Sequence, residues 1–293
     1  MCALKKGIFM NEFFQTLTDP NIGFLRYAII AGILSSISFG FIGSFVVVKR
    51  ISYIAGAMSH CVLGGIGASL FLQSKFNMVW CTPMIGALCA ALVAAFIIGF
   101  LSIYSKERED SLIGALWVIG MATGILFIAK TPGYIDPMSY LFGNILMITK
   151  NDLWIVIVLD SFIVVSIMLF YNKLLALSFD EEFAALRGVR TKFLYIFLLC
   201  MVALTIVLLI RIVGIIMVIA LITLPSATSS KFCNKLWHMM IVSTILCMGF
   251  VTGGIAVSFT TDLPTGPTIV VFSGGAYLLG LLLRFLKKYL IKN

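Results

Sequence analysis

Long apolar runs separated by short charged segments dominate the chain. Most of these runs contain about 20 residues, the length that a helix needs to cross the hydrocarbon core of a bilayer. The pattern therefore predicts an all-α polytopic membrane protein. The predicted helical segments cover residues 26–48, 53–72, 79–104, 112–130, 153–171, 193–210, 212–228, 237–260 and 267–286.

The number of spans depends on the junction between segments 193–210 and 212–228. A single helix over both segments would contain 36 residues, which is too long for the bilayer. We therefore expect a break near Arg211, leaving either two spans or one span followed by a half-helix that lines a cavity. The predicted fold is a bundle of eight or nine transmembrane helices in a single transmembrane domain over residues 1–293.

Small residues within the spans predict close packing of this bundle. GxxxG pairs occur at Gly120/Gly124 and at Gly249/Gly253. Glycines at this spacing let the backbones of two helices approach each other.

Two connections between spans predict structure of their own. The outer loop 131–152 contains the apolar stretch MSYLFGNILMI, which is too short to span and predicts a re-entrant or interfacial segment. The inner loop 172–192 contains LSFDEEFAALRGVR, with acidic residues first, a short apolar stripe next and a glycine at the end. This order predicts a short capped helix. Such a helix is either a solvated connector or a docking element for a cytoplasmic partner.

Composition excludes several classes of protein. The chain is 61% hydrophobic and 11% charged, whereas a soluble domain is about 25% charged. A soluble globular enzyme and a disordered chain are excluded. The net charge of +9 fits the basic cytoplasmic loops of membrane proteins, and the sequence has no polybasic run, so we expect no nucleic-acid partner.

Lysine and arginine also predict the orientation in the membrane, because they concentrate on the cytoplasmic side. If Lys49 and Arg50 lie inside and the spans alternate, the C-terminus is inside, and nine spans would place the N-terminus outside. We expect a multi-pass protein of the cell membrane, surrounded by the lipid bilayer. With Lys49 and Arg50 inside and the spans alternating, 14 of the 21 basic residues lie inside: Lys49, Arg50, Lys106, Arg108, Lys173, Arg187, Arg190, Lys192, Lys231, Lys235, Arg284, Lys287, Lys288 and Lys292.

Catalytic motifs are missing from the sequence. It contains no GxxxxGK[ST] phosphate loop, no HExxH pair and no GxSxG elbow. We therefore predict that the chain is not an enzyme.

Ionisable residues inside or beside the spans are the candidate functional groups. His60 lies among small residues in the second span, and its imidazole is a good ligand for zinc, iron or nickel and a tolerable one for manganese. One histidine cannot hold a metal alone, but a symmetric dimer would bring two together. The alternative is a hydrogen bond to a neighbouring helix.

Two aspartates are further candidates. Asp160 lies in the fifth span, where it either bonds a neighbouring helix or takes part in a pore. Asp262 lies in the outer segment SFTTDLPTGP, where it either meets cations or a partner protein or simply forms a turn.

Six ordered segments carry a resemblance to a known family over roughly residues 24–286. They are GFIGSFVVVKRISYIAGAMSHCVLGG, EDSLIGALWVIGMATGILFI, YLFGNIL, LSFDEEFAALRGV, IVGIIMVIALITLPSAT and DLPTGP. Together they resemble the membrane permease subunit of zinc/manganese-type (metal-ion) ABC importers.

The resemblance implies a homodimer of permeases, two cytoplasmic ATP-binding subunits and an external metal-binding protein. It implies a divalent metal ion as transported substrate, no permanently bound cofactor, and ATP-driven alternating access. A related permease for a metal chelate, such as a siderophore or cobalamin, is the alternative. The DEEFAALRG segment would contact the ATP-binding subunit, so the docking candidates are Asp180, Glu181, Ala184 and Gly188.

Gly56 departs from the family pattern. Many members carry an aspartate four residues before the histidine, and an i, i+4 pair shares one helix face. This chain keeps His60 but has glycine at position 56. The loss of a hard oxygen ligand favours zinc over manganese and predicts a weak, transient site, with selectivity supplied by the external protein.

Overall fold

The computed structural model describes residues 23–78, 80–105, 108–132, 141, 143 and 148–292. Within these ranges, eight helices are long and apolar enough to cross a membrane, which confirms the predicted all-α membrane bundle. Most of the predicted re-entrant stretch at 138–148 lies outside the described residues, which include only 141, 143 and 148 of it. The described helices are α1 (Gly23–Val48), α2 (Ser52–Phe76), α3 (Pro83–Tyr104), α4 (Glu109–Lys130), α5 (Lys150–Phe179), α6 (Glu181–Leu186), α7 (Thr191–Val213), α8 (Ile215–Ser229), α9 (Leu236–Thr261) and α10 (Thr265–Lys292).

Polar contacts gather alternate helix ends at one end of the bundle, which we call the inner end. Lys49, just after α1, donates to the carbonyl of Leu177 in α5 at 3.1 Å and pairs with Glu181 at 2.6 Å. Ser102, near the end of α3, donates to Glu109 at the start of α4. These contacts agree with the alternation of inner and outer loops expected from the basic residues.

The junction between α7 and α8 resolves the uncertain pair of segments. Gly214, with φ 81°, separates the two helices. Ile210, near the end of α7, lines a cavity with Pro83 at the outer end, whereas the Ser226 hydroxyl of α8 lies 2.7 Å from that of Ser243, in the inner half of α9. The chain therefore turns back at Gly214. With 15 residues, α8 is about 22 Å long, which is shorter than the hydrocarbon core of a bilayer. Of the two outcomes expected from the sequence, the structure therefore shows one full span, α7, followed by a shorter helix, α8.

Helix α5 is longer than its apolar run. It begins with a capping box, in which the Thr149 amide donates to Asp152 at 3.0 Å. It continues to Phe179, beyond the predicted end at residue 171. The apolar run is interrupted by Tyr-Asn-Lys, but the helix continues because the leucines and alanine that follow are strong helix formers.

The core lies around α1, α2, α7 and α8, whose apolar stretches are mostly buried, whereas α4 and α10 are peripheral. Helix α4 packs closely on α2. A Cβ atom on Gly120 would lie 2.7 Å from Cα of Cys61, and one on Gly124 would lie 2.7 Å from the carbonyl carbon of Leu63. This pair of glycines therefore supports helix–helix contact as predicted.

The other GxxxG pair makes no such contact. Among the described residues, and apart from the local backbone of α9 itself, no atom lies within 4 Å of a Cβ built on Gly249 or Gly253. The glycine next to them, Gly254, is the one that packs, because a Cβ there would lie 3.0 Å from Cα of Ile269 in α10.

Adjacent glycines in α9 allow a matched test of this packing. Gly254→Ala should destabilise the protein by about 1–3 kcal/mol, because the added methyl group forces α10 away from α9. Gly253→Ala should leave stability unchanged or slightly raised, because alanine is the better helix former. Thermal unfolding of the detergent-solubilised protein measures both variants, and equal melting temperatures would contradict the close contact.

Candidate functional site

His60 lies on α2, about 12 Å along the helix axis from its inner end. The side chain is partly buried, and its Nδ1 atom is buried without a hydrogen-bond partner among the described residues. A buried polar atom without a partner is rare in folded proteins, and each one requires an explanation. The unpaired nitrogen leaves His60 able to bind a ligand.

Trp117 of α4 lies directly against His60. The two rings stack with centroids 4.6 Å apart and an interplanar angle of 22°. The same indole fills the space beside Gly56, where a Cβ atom would lie 2.8 Å from its Cζ3 atom. The space that a side chain at position 56 would occupy is therefore taken by an aromatic ring in this chain.

A small cavity lies between Trp117 and the inner end. Its volume is about 300 Å³. The lining contains one carboxylate, that of Asp110, and the aromatic side chain of Tyr53, near the inner ends of α4 and α2. Among the described residues the cavity is lined by Tyr53, Asp110, Ile113, Gly114 and Trp117.

A larger cavity of about 620 Å³ lies in the outer half of the bundle, between α2, α3, α5 and α7. The described side chains that line it are aliphatic apart from those of Thr82 and Met84. It offers few ligands to a bare cation, which prefers imidazole or oxygen donors.

Asp160 joins two helices of the core. Its carboxylate is buried and accepts hydrogen bonds from Ser38 of α1, from the hydroxyl and from the backbone amide, the latter at 3.2 Å. This geometry is that of a bond between α5 and a neighbouring helix, one of the two roles considered for this residue.

Asp262 ends α9 at the outer surface. It is exposed and has a left-handed backbone conformation, with φ 52°. The turn around it is closed by the Leu263 amide, which donates to the carbonyl of Ser258 at 3.3 Å, and by the hydroxyls of Ser258 and Thr265, 3.0 Å apart. Aspartate tolerates this conformation better than most residues, so the turn accounts for its position.

The structure keeps these candidates apart. His60 packs on α4, Asp160 bonds to α1 and Asp262 lies in an outer turn. Among the described residues, no group of three or more histidine, cysteine, aspartate or glutamate side chains could hold a metal ion. A complete cation site is therefore not formed by these parts of a single chain.

The predicted short helix is present as α6 at the inner end. Asp180 caps it, because its carboxylate accepts the Phe183 amide at 2.9 Å. Glu181 pairs with Lys49 of the bundle, and Gly188, with φ 76°, follows the helix. Asp180 thus stabilises the start of α6, and Glu181 holds the helix against the bundle.

The outward face of α6 carries apolar side chains. Ala184 is 1% exposed, so it faces the bundle and cannot itself contact a partner. Leu186 is 87% exposed and Phe183 is 51% exposed. Sequence reasoning included Leu186 in the apolar stripe of this helix but chose Ala184, Gly188 and the acidic residues as docking candidates, and it did not single out Phe183.

Comparison with known proteins identifies the family. The model of the ABC 3 transport family matches residues 21–284. The chain belongs to this family. It is a membrane permease of the ABC 3 family and a multi-pass protein of the cell membrane.

Relatives of this ABC 3 permease have names that refer to metal transport. It is 40% identical to a probable metal transport system membrane protein of Chlamydia trachomatis, over 88% of each chain. It is 30% identical to the manganese transport system membrane protein MntC of Halalkalibacterium halodurans, over 92% of this chain and 90% of the other. The solved structure of PsaBC from Streptococcus pneumoniae in complex with Fab has a TM-score of 0.81 and 28% identity, covering 92% of this chain and 95% of that one.

The contact between His60 and Trp117 was missed by sequence reasoning about this ABC 3 permease. The two residues lie on different helices, 57 positions apart. The only local signal was Gly56, whose missing side chain leaves room for a large neighbour.

Proposed function

We propose that this ABC 3 family chain is the membrane-spanning permease subunit of an importer that moves a divalent transition-metal ion into the cytoplasm. The observation that carries the proposal is His60, a histidine inside a membrane-crossing helix whose Nδ1 has no hydrogen-bond partner among the described residues. Histidines within membrane spans mark ion pathways. The names of the metal-transport relatives support the same substrate class.

Zinc is the preferred ion in this proposal, and manganese and iron are the competitors. Zinc binds imidazole well, whereas manganese prefers oxygen ligands. Beside His60, Gly56 provides no oxygen ligand, and the indole of Trp117 fills the adjacent space. Manganese is the main competitor because relatives about 30% identical to this chain are named as manganese systems.

The proposed transporter needs further subunits. Two copies of this chain would bring two His60 side chains to a shared axis, as symmetric homodimers do. Two cytoplasmic ATP-binding subunits would dock on the exposed face of α6, and an external metal-binding protein would deliver the ion. ATP hydrolysis on those partner subunits would drive alternating access of the bundle to the two sides.

Metal accumulation in cells lacking their own zinc and manganese importers tests the function. The chain is expressed with its ATP-binding subunit and its binding protein. We expect restored zinc accumulation, weaker restoration of manganese, and no restoration when the ATP-binding subunit carries a hydrolysis-defective substitution.

Two outcomes would contradict the proposal. If the complex assembles but neither zinc, manganese nor iron accumulates, the chain does not carry free divalent metals. If accumulation requires the metal to be supplied as a siderophore or cobalamin, the chain is a chelate permease.

A further inference from the structure

We infer that Trp117 is the inner gate of the His60 position, a side chain that must move before an ion can pass from His60 toward the cytoplasm. The inference rests on the proposed function, since it assigns a role to a residue beside the proposed ion path. Three observations carry it: the ring stack, the space beside Gly56, and the cavity on the inner side of the indole.

The stack places the indole flat over the imidazole. The centroids lie 4.6 Å apart, and the interplanar angle is 22°. Trp117 also lines the inner cavity of about 300 Å³, whereas His60 is not part of that lining. The indole therefore separates the imidazole from the space that leads toward the inner end.

Gly56 is what allows the indole to lie there. Any Cβ at position 56 would stand 2.8 Å from Cζ3 and 3.2 Å from Cη2 of Trp117. At this distance something must move, and the atoms in contact are the outer edge of the indole, so even alanine at position 56 would push the ring away from His60. The position of the Trp117 ring over His60 thus depends on the absence of a side chain at Gly56.

The strength of the contact suits a gate that opens in every transport cycle. Stacked aromatic pairs shift an equilibrium by roughly 2- to 12-fold beyond their burial. A contact of this strength keeps the ring over His60 at rest and yields to the movement of a helix. Helix α4, which carries Trp117, is peripheral and starts at the inner end, where Glu109 accepts a hydrogen bond from Ser102 of α3.

The two histidines of the chain allow the gate to be tested without any transport. Diethyl pyrocarbonate modifies neutral imidazole nitrogens, and His238, exposed near the inner end of α9, serves as the internal reference. Inverted vesicles containing the assembled complex are treated briefly, and mass spectrometry gives the ratio of modified His60 to modified His238.

We expect Trp117→Leu to raise this ratio about tenfold, the upper range for loss of an aromatic stack. Gly56→Ala should raise it similarly by displacing the ring, and Trp117→Phe should keep it near the wild-type value. Phe127→Leu is the matched control, because Phe127 of α4 packs on Phe71 of α2 with centroids 5.6 Å apart, away from His60. It should leave the ratio unchanged.

An unchanged ratio in both Trp117→Leu and Gly56→Ala would overturn the gate, as would an equal rise in Phe127→Leu, which would indicate general loosening of α2 and α4. If Trp117→Leu fails to assemble, its low yield of complex reveals this. The ratio measured for Gly56→Ala then tests the gate alone. The measurement needs no metal movement. A wild-type complex that carries no metal would refute the proposed function, whereas the ratio alone decides on the gate.

Discussion

Replacing His60 by alanine is expected to reduce metal accumulation by the assembled transporter about 100-fold. Loss of an outer-shell partner of a metal ligand already costs 10- to 100-fold. Nδ1 of His60 has no hydrogen-bond partner in the described part of the chain, and neither Gly56 nor Trp117 beside it offers a replacement ligand. Uptake of radioactive zinc into cells expressing all subunits measures the loss.

The second histidine provides the control for this experiment. His238 lies at the inner end of α9 and is exposed. His238→Ala should therefore keep wild-type uptake. Full uptake in the His60→Ala complex would place selectivity in the external binding protein and remove His60 from the ion path.

Replacing Leu186 by glutamate is expected to detach the ATP-binding subunit. Leu186 is 87% exposed at the inner end, outside the membrane-crossing helices, so burying it against a partner would remove apolar surface from water. A central apolar contact of an interface is worth about 2 kcal/mol or more, which corresponds to about 30-fold weaker binding. Co-purification of the two subunits at graded concentrations measures the change.

The conservative variant Leu186→Met should retain binding, because it preserves an apolar side chain of similar volume. Charge reversal at Asp180 or Glu181 is a less specific test. Asp180 caps α6 and Glu181 anchors it to Lys49, so either change would disturb the helix itself. Retained binding in Leu186→Glu would show that the partner docks elsewhere.

The membrane helices were predictable because each one appears in the sequence as an apolar run long enough to span. Their ends were less predictable. Pro83 at the first position of α3 begins that helix later than the apolar run suggests, since proline is favoured there. The continuation of α5 to Phe179 depends on helix propensity and on the bundle contact of Leu177, neither of which an apolar run records.

The candidate site was predictable only in part. His60 stands out because an ionisable group is rare within an apolar span. Its neighbour Trp117 could not be inferred, because stacking between two helices leaves no periodic pattern in either of them. Likewise Asp160 stands out by charge, but its bond to Ser38 depends on how α1 and α5 pack.

The glycine spacing also shows that the packing partner of a helix could not be inferred from the sequence. Gly120/Gly124 and Gly249/Gly253 have identical spacing, yet the first pair packs against α2 and the second faces open space within the described part of the chain. The GxxxG spacing indicates only that a close approach between two helices is sterically allowed. Which partner comes close is decided by the whole bundle.

The length of α5 sets the distance between the proposed docking surface on α6 and the membrane. Its 30 residues extend about 45 Å, whereas the hydrocarbon core is about 30 Å thick and the whole bilayer with its headgroups about 40–45 Å. A helix that starts at the outer boundary of the core therefore carries α6 through the headgroup layer into water. A subunit that binds α6 has no need to displace lipid, so its attachment should be insensitive to the headgroup composition of the inner leaflet.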